Sequence, residues 1–229
     1  MNRPGLASEP DATPEAELAA VRQDAATLGL DLPDAAIQRL VDYVALLRKW
    51  NAAYNLTAVR DAAQMRVQHL ADCLAVVPAL RRQVGDGPRR MLDVGSGGGL
   101  PGVVLAIACA QWSVSCVDTV GKKAAFVRQV AGELALPNLQ AVHARVEALP
   151  GPAFDVITSR AFASLSDFVS LTRPLLAPGG VWMAMKGRHP EDELAALPAD
   201  VEVFHVESLL VPGLAADRCL VWMRPRPAA

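Results

Sequence analysis

The stretch Met91-Leu92-Asp93-Val94-Gly95-Ser96-Gly97-Gly98-Gly99-Leu100-Pro101-Gly102 constrains this chain more than any other, because an apolar strand runs into clustered glycines and then straight into a helix. Glycines at such a junction let the backbone turn sharply and come close to a ligand. Downstream the same rhythm continues. Strand signals at 90–94, 113–118, 139–143, 154–159, 180–186, 201–209 and 219–224 alternate with helical ones at 100–110, 121–136, 146–149, 166–176 and 190–197. That alternation predicts an α/β fold, a Rossmann-like, doubly wound and mostly parallel seven-stranded sheet covered by helices on both faces. Past Lys186 the last two strands lie too close together for a crossover helix, so the sheet is expected to end in an antiparallel hairpin.

Upstream of the glycines the period is helical. Apolar residues recur on one face over 14–30 and again over 33–50, where they are Ile37, Leu40, Val41, Val44 and Leu47. A loop at 51–61 and a third helix at 62–80 complete the segment. The expected organisation is therefore a flexible tail over 1–13, an N-terminal helical extension over 14–88 and an α/β domain over 89–229. With 229 residues, 52% of them hydrophobic and 20% charged, the chain has ample core, and fibrous and disordered classes are excluded.

The first residues carry acids and prolines where a secretory signal needs a basic start, and the longest strongly apolar run, 103–110, is far below the roughly 20 residues of a spanning helix. A cytoplasmic protein with no membrane partner is expected. Cys73, Cys109, Cys116 and Cys219 sit in apolar surroundings without a C-x-x-C pair or a histidine at metal spacing. They read as reduced core thiols, with no metal. The net charge of −2 divides unevenly: seven acids and two arginines put −5 on residues 1–34, which leaves +3 on the rest. A modest basic face on the main body is allowed.

By letter, Gly97-x-Gly99-x-x-Gly102 fits a dinucleotide fingerprint, and phosphate sites use similar loops. Two features favour another ligand. Asp93, two residues before the first glycine, is a poor neighbour for a pyrophosphate, and no Lys-Ser/Thr follows the loop as a Walker motif requires. Asp118 ends the next strand, where a carboxylate can accept both hydroxyls of a ribose. A nucleoside without phosphates satisfies all of these. Asp93 itself either braces the loop amides or meets the amino end of a ligand.

Asn55-Leu56-Thr57, His69-Leu70-Ala71-Asp72, the loop from Asp93 to Gly102, Asp118 with Gly121-Lys122-Lys123, Ser159-Arg160-Ala161-Phe162-Ala163 and Lys186-Gly187 occur here in order. In these motifs the chain resembles the small-subunit ribosomal RNA methyltransferase G family, formerly called glucose-inhibited division protein B, over roughly residues 40 to 190. The resemblance implies a class I methyltransferase fold, S-adenosylmethionine as cofactor, and methylation of N7 on one guanine of 16S ribosomal RNA, within the small subunit or its precursor. By matching positions it places Gly95, Leu100, Val146, Glu147 and Arg160 around the donor, alongside Asp93, Gly97, Gly99 and Asp118 from the loop reading. Cys73 departs from the family pattern, where a serine is expected.

Strand carboxyl ends of a doubly wound sheet gather along one edge, and Gly95, Asp118, Val146, Glu147 and Arg160 all fall there. Glu147 either accepts the adenine amine or is a solvated helix residue. Arg160 leaves a strand into apolar surroundings and needs a partner: a ligand carboxylate, a phosphate, or an acid of the sheet edge. Lys186 reaches RNA phosphate or is a solvated strand end. Asn51, Tyr54 and Asn55 offer stacking and hydrogen bonds to an extruded base, or merely stop a helix. Further basic candidates are Arg48 with Lys49, Arg81, Arg82, Lys122 with Lys123, and Arg188, whereas Arg89 and Arg90 stand at the wrong end of a strand.

His69, His143, His189 and His205 form no catalytic set, and none is required, because guanine N7 has a free lone pair at neutral pH. His69 and Asp72, one helical turn apart, read as interface bracing. Two rival readings share the donor loop: a methyltransferase of small molecules or proteins, and a non-catalytic nucleotide-binding module.

Overall fold

Every strand of the sequence-derived series is present in the computed structural model, which describes residues 13–151, 153–160, 162 and 164–227. Most of the tail read over 1–13 lies outside the described residues; Thr13 is described and caps the first helix by accepting from Ala16 N. The strands are β1 (Arg90–Val94), β2 (Ser113–Asp118), β3 (Leu139–His143), β4 (Phe154–Ser159), β5 (Leu176–Lys186), β6 (Val201–Ser208) and β7 (Cys219–Pro225). They form one sheet in the order β3-β2-β1-β4-β5-β7-β6. β1 to β5 are parallel, and β7 runs antiparallel between β5 and β6. The order reverses between β1 and β4, and in such sheets the crevice at the reversal is where ligands bind.

The period of two divides each strand between two cores. Met91, Val114, Val156 and Met183 face one side, Leu92, Val117, Ile157 and Trp182 the other. On the first side lie α1 (Pro14–Thr27), α2 (Asp34–Tyr54), α6 (Gly102–Ala108) and α7 (Gly121–Glu133), so the N-terminal helices share one apolar cluster with the sheet. α8 (Leu165–Thr172) covers the second side.

Some boundaries depart from expectation. α2 continues to Tyr54, past the expected stop at Trp50, and ends because Asn55 turns left-handed at φ 51°, a conformation asparagine tolerates. The helix expected over 62–80 is broken: α3 (Ala62–Met65) passes into a π-helical turn at Arg66–Ala71, then α4 (Asp72–Leu74) and α5 (Val76–Val84). α8 stops at Thr172 ahead of Pro174, which has no amide to continue a helix, and Leu176 already pairs with Phe154. The last helix, α9, is short (Glu191–Ala195). Among the described residues no helix is long and apolar enough to cross a membrane.

Candidate active site

At the end of β1 the glycines divide into two kinds. A Cβ at Gly95 would meet nothing within 4 Å, and at Gly97 only the Gly95 carbonyl at 4.0 Å; both have positive φ, +68° and +58°. This is the open side of the loop. The others face packed atoms: a Cβ would stand 2.9 Å from Leu47 at Gly98, 2.3 Å from Val103 at Gly99 and 2.3 Å from Cys116 Sγ at Gly102. Of the positions expected as pocket lining, Gly99 packs so closely on Val103 that no side chain fits, and the Leu100 side chain is buried among the core side chains. The driving reason is that the loop must tuck against α2 and α6 to hold Gly95 and Gly97 open.

Five of the loop amides are bonded within the chain. Gly95 N and Ser96 N both donate to Val117 O (2.9 and 3.2 Å), Gly97 N to Asp118 Oδ2 (2.9 Å), and Gly99 N and Leu100 N to Ser96 O (2.8 and 3.0 Å). Below them, Asp93 Oδ2 accepts from Gly102 N at 2.8 Å and so closes the N-terminus of α6. A pyrophosphate needs those amides and that helix end. Both are already committed, the amides to the Val117 and Ser96 carbonyls and to Asp118, the helix end to Asp93.

Asp93 is fully buried, and its Oδ1 has no hydrogen-bond partner among the described residues. Burial pushes its carboxyl up to about 7, against the pull of the Gly102 amide and of Arg160. The loop-bracing reading of Asp93 is the one its contacts display. Asp118 has a similar brace, since Oδ1 accepts from Val120 N (2.8 Å) while Oδ2 takes Gly97. Each of its oxygens retains a second lone pair. Beyond β3, Val146 is buried and Glu147 is exposed at a short helical turn, Val146–Ala148, on the same edge of the sheet.

Arg160, at the carboxyl end of β4, finds its acid on the helical extension and not on the sheet edge. Its guanidinium donates to Asp72 Oδ2 (3.3 Å) and Gln68 O (3.2 Å), while Arg218, just before β7, donates to Asp72 Oδ1 (2.8 Å). One buried carboxylate thus holds two guanidiniums. The π-helical turn immediately before Asp72 carries His69, whose Nε2 lies 2.6 Å from Thr57 Oγ1. Burial, aided by Arg160, lowers the His69 pKa below its usual value. The bracing role expected for His69 and Asp72 is visible in these contacts.

Two acceptor-side expectations need correction. Asn51 is not a base contact: it lies inside α2, buried, where its side chain donates to Val59 O (2.9 Å) and accepts from Thr57 N (2.8 Å). Lys186 is not a free strand-end cation, because Glu193 of α9 takes its ammonium at 2.7 Å. Asn55 is exposed and accepts from Arg60 (3.1 Å); Tyr54, 44% exposed, packs on Trp50 with ring centroids 5.1 Å apart. Arg89 caps the end of α5 by donating to Val84 O, consistent with its exclusion.

Tyr43 escaped the sequence reading. Its hydroxyl donates to Gly98 O at 2.6 Å, tying α2 to the glycine loop from behind. Its place between Leu40 and Leu47 on the buried face was the available signal. Arg218 and Glu193 gave none, because their partners are set only by the fold. All four cysteines are free and buried, and burial raises each pKa, so the thiols stay protonated. Among the described residues no group of three or more His, Cys, Asp or Glu gathers as a metal site.

Parallel strands in the order 3-2-1-4-5, an antiparallel seventh slotted between the fifth and sixth, and a glycine loop at the reversal define a class I methyltransferase fold. Solved structures share it: a SAM dependent methyltransferase from Aquifex aeolicus superposes with a TM-score of 0.55 at 17% identity, covering 79% of this chain and 97% of that one. A Burkholderia thailandensis 1,6-didemethyltoxoflavin-N1-methyltransferase gives 0.55 at 19%, covering 81% and 90%. The family model described as rRNA small subunit methyltransferase G matches residues 36–221. Ribosomal RNA small subunit methyltransferase G of Acidovorax ebreus (strain TPSY) is 62% identical over 214 residues, 90% of this chain and 94% of the relative. That of Leptothrix cholodnii is 61% identical over 205 residues, with the same coverage. The chain belongs to this family. It is an S-adenosylmethionine-dependent methyltransferase.

Proposed function

We propose that this enzyme methylates N7 of a guanine in 16S ribosomal RNA, acting in the cytoplasm on the small ribosomal subunit or its precursor and using no metal. The family membership supports the substrate. The observation that carries the donor half is the loop, five of whose amides are bonded within the chain and whose helix end is closed by Asp93, which suits a phosphate-free nucleoside and argues against the nucleotide-module rival. In this reading residues 89–229 are the catalytic domain, and 14–88 are an extension that braces it.

S-adenosylmethionine, when bound, supplies an electrophilic sulfonium methyl group. The open faces of Gly95 and Gly97 would admit the donor close to the backbone, and the remaining lone pairs of Asp118 would accept the ribose hydroxyls. Glu147 would take the adenine amine above Val146. Guanine N7 already carries its lone pair, so the chain has no proton to remove; its work is to align the base in line with the methyl and exclude water. Arg160, fixed by Asp72, would border the donor, while Asn55 and Tyr54 offer an exposed polar and aromatic contact for the base.

Mass spectrometry of small-subunit RNA from cells lacking the protein tests this. We expect one N7-methylguanine to vanish and to return with the wild-type chain. Retention of every N7-methylguanine overturns the reading. Calorimetry adds the donor test, with S-adenosylmethionine raising the melting temperature by mass action and NAD leaving it unchanged.

A further inference from the structure

β7 is antiparallel to β5 and begins opposite its end, with Cys219 paired to Lys186. The turn from β6 into β7 therefore lies on the same edge as the carboxyl ends of the parallel strands. Between this turn and the segment leaving β5 is a cavity of about 570 Å³, within the range of about 300–1,000 Å³ typical of small-molecule sites. Val206 and Leu214 contribute an apolar wall, while Arg188, His189 and Arg218 contribute donors. Asp217 supplies the only lining carboxylate among the described residues, so the two arginines exceed it by one charge. Behind the wall Asp72 serves Arg218 together with Arg160, so cavity and wall combined set three guanidiniums against two carboxylates, one in surplus.

β7 stands three strand spacings from β1, about 14 Å at roughly 4.8 Å each. That separates the cavity from the glycine loop, while Arg218, which shares Asp72 with Arg160, keeps it beside the site that a strand entering the same edge would reach. An apolar wall beside surplus guanidinium matches a nucleotide, with the base against the wall and the phosphate on the arginine fork. We propose that this cavity is an RNA subsite that holds a nucleotide flanking the methylated guanine, with Arg188 on its phosphate. The proposal rests on RNA being the substrate.

Two variants test it on the full chain. Arg188 is exposed, and Cys219 Sγ uses only its carbonyl, so Arg188→Ala spares the fold; Ala216→Trp fills the cavity from an exposed position. Binding to a 16S RNA transcript and to small-subunit particles is measured across salt, with S-adenosylmethionine binding measured in parallel. Each variant is expected to bind RNA about 5–20-fold more weakly with unchanged donor affinity. Arg188→Ala should also flatten the slope of log K against log salt by about 0.7–0.9, the loss of one phosphate contact, whereas Ala216→Trp should keep the wild-type slope. Wild-type RNA affinity in both variants overturns the subsite and leaves the substrate reading standing, as does a loss confined to donor binding. No RNA binding by the wild-type chain overturns both. RNA binding that depends on Arg188 and Ala216 in a chain that transfers no methyl supports the subsite and counts against the N7 reading.

Discussion

Asp93 and His69 carry proton equilibria of opposite sign. The Asp93 carboxyl is pushed up to about 7 by burial, so between about pH 4 and 7 the folded chain holds a proton that the unfolded chain has released. Its contribution to stability is present at low pH and lost as pH rises through 7. The lowered pKa of His69 does the reverse: the unfolded chain protonates first as pH falls below about 6.5, and stability is lost in the acid direction. Calorimetric melting from pH 5 to 8 should therefore show a steeper fall toward alkaline pH in His69→Gln and a flattened one in Asp93→Asn. Identical profiles in all three proteins would remove both assignments. Asp118 is a separate case, because its oxygens hold Gly97 and Val120 as well as facing the open loop. Asp118→Ala should weaken S-adenosylmethionine binding by about 1.5–3 kcal/mol, the scale of hydrogen bonds to a charged group, and lower the melting temperature too. A titration showing wild-type donor affinity would leave Asp118 only its role in the turn.

At the scale of elements, the glycine loop is held between the sheet below it and α2 behind it. Tyr43 reaches from α2 to Gly98 O, and Leu47 fills the space that a side chain at 98 would need. Tyr43→Phe removes the hydroxyl and leaves a carbonyl in an apolar setting without its donor, at a cost of about 1–3 kcal/mol. Urea denaturation gives that number directly, and donor affinity should fall with it; an unchanged midpoint would detach α2 from the loop. The sequence exposes elements of this kind very unequally. Most strands were readable as short apolar runs bounded by turn residues, β6 by its mixing of Val201, Val203 and Val206 with Glu202, His205 and Glu207, and period-two alternation then sorts Met91 from Leu92. Asp93, Asp118 and the loop were readable because strand ends and glycines follow one another locally. The π-helical turn was hidden, since Arg66–Ala71 has the composition of an ordinary helix, and its different winding goes with contacts of His69 to Thr57 and of Asp72 to Arg160 that only the fold sets. Asn51 stays open between base contact and helix stop in the sequence because α2 runs one turn further than Trp50 suggests, which leaves it buried and bonded to the loop at Thr57 and Val59.

For the whole molecule, the junction that matters is the one between the helical extension and the sheet. Asp72 lies 88 residues from Arg160 and 146 from Arg218, so no local pattern announces the triad, yet it joins α4, β4 and the start of β7 at the carboxyl edge of the parallel strands. The apolar cluster that runs from Val21 and Leu40 through Val103 to Trp222 reinforces the same junction. Asp72→Asn keeps the shape and removes the charge, which leaves two guanidiniums facing each other across a neutral amide. Breaking a fully buried pair costs about 3–5 kcal/mol, but both arginine side chains are 26% exposed and water screens them, so a loss nearer 2–3 kcal/mol is expected. Because the extension shares its core with the sheet, that loss should move one transition and not split it. Urea unfolding followed by the fluorescence of Trp50 in α2 and of Trp182 and Trp222 in the sheet, using single-tryptophan variants, should give coincident midpoints in wild type and in Asp72→Asn alike. Separate midpoints in the wild-type background would show that the extension folds on its own and only rests against the sheet, and the triad would then be a contact between two units, not part of one.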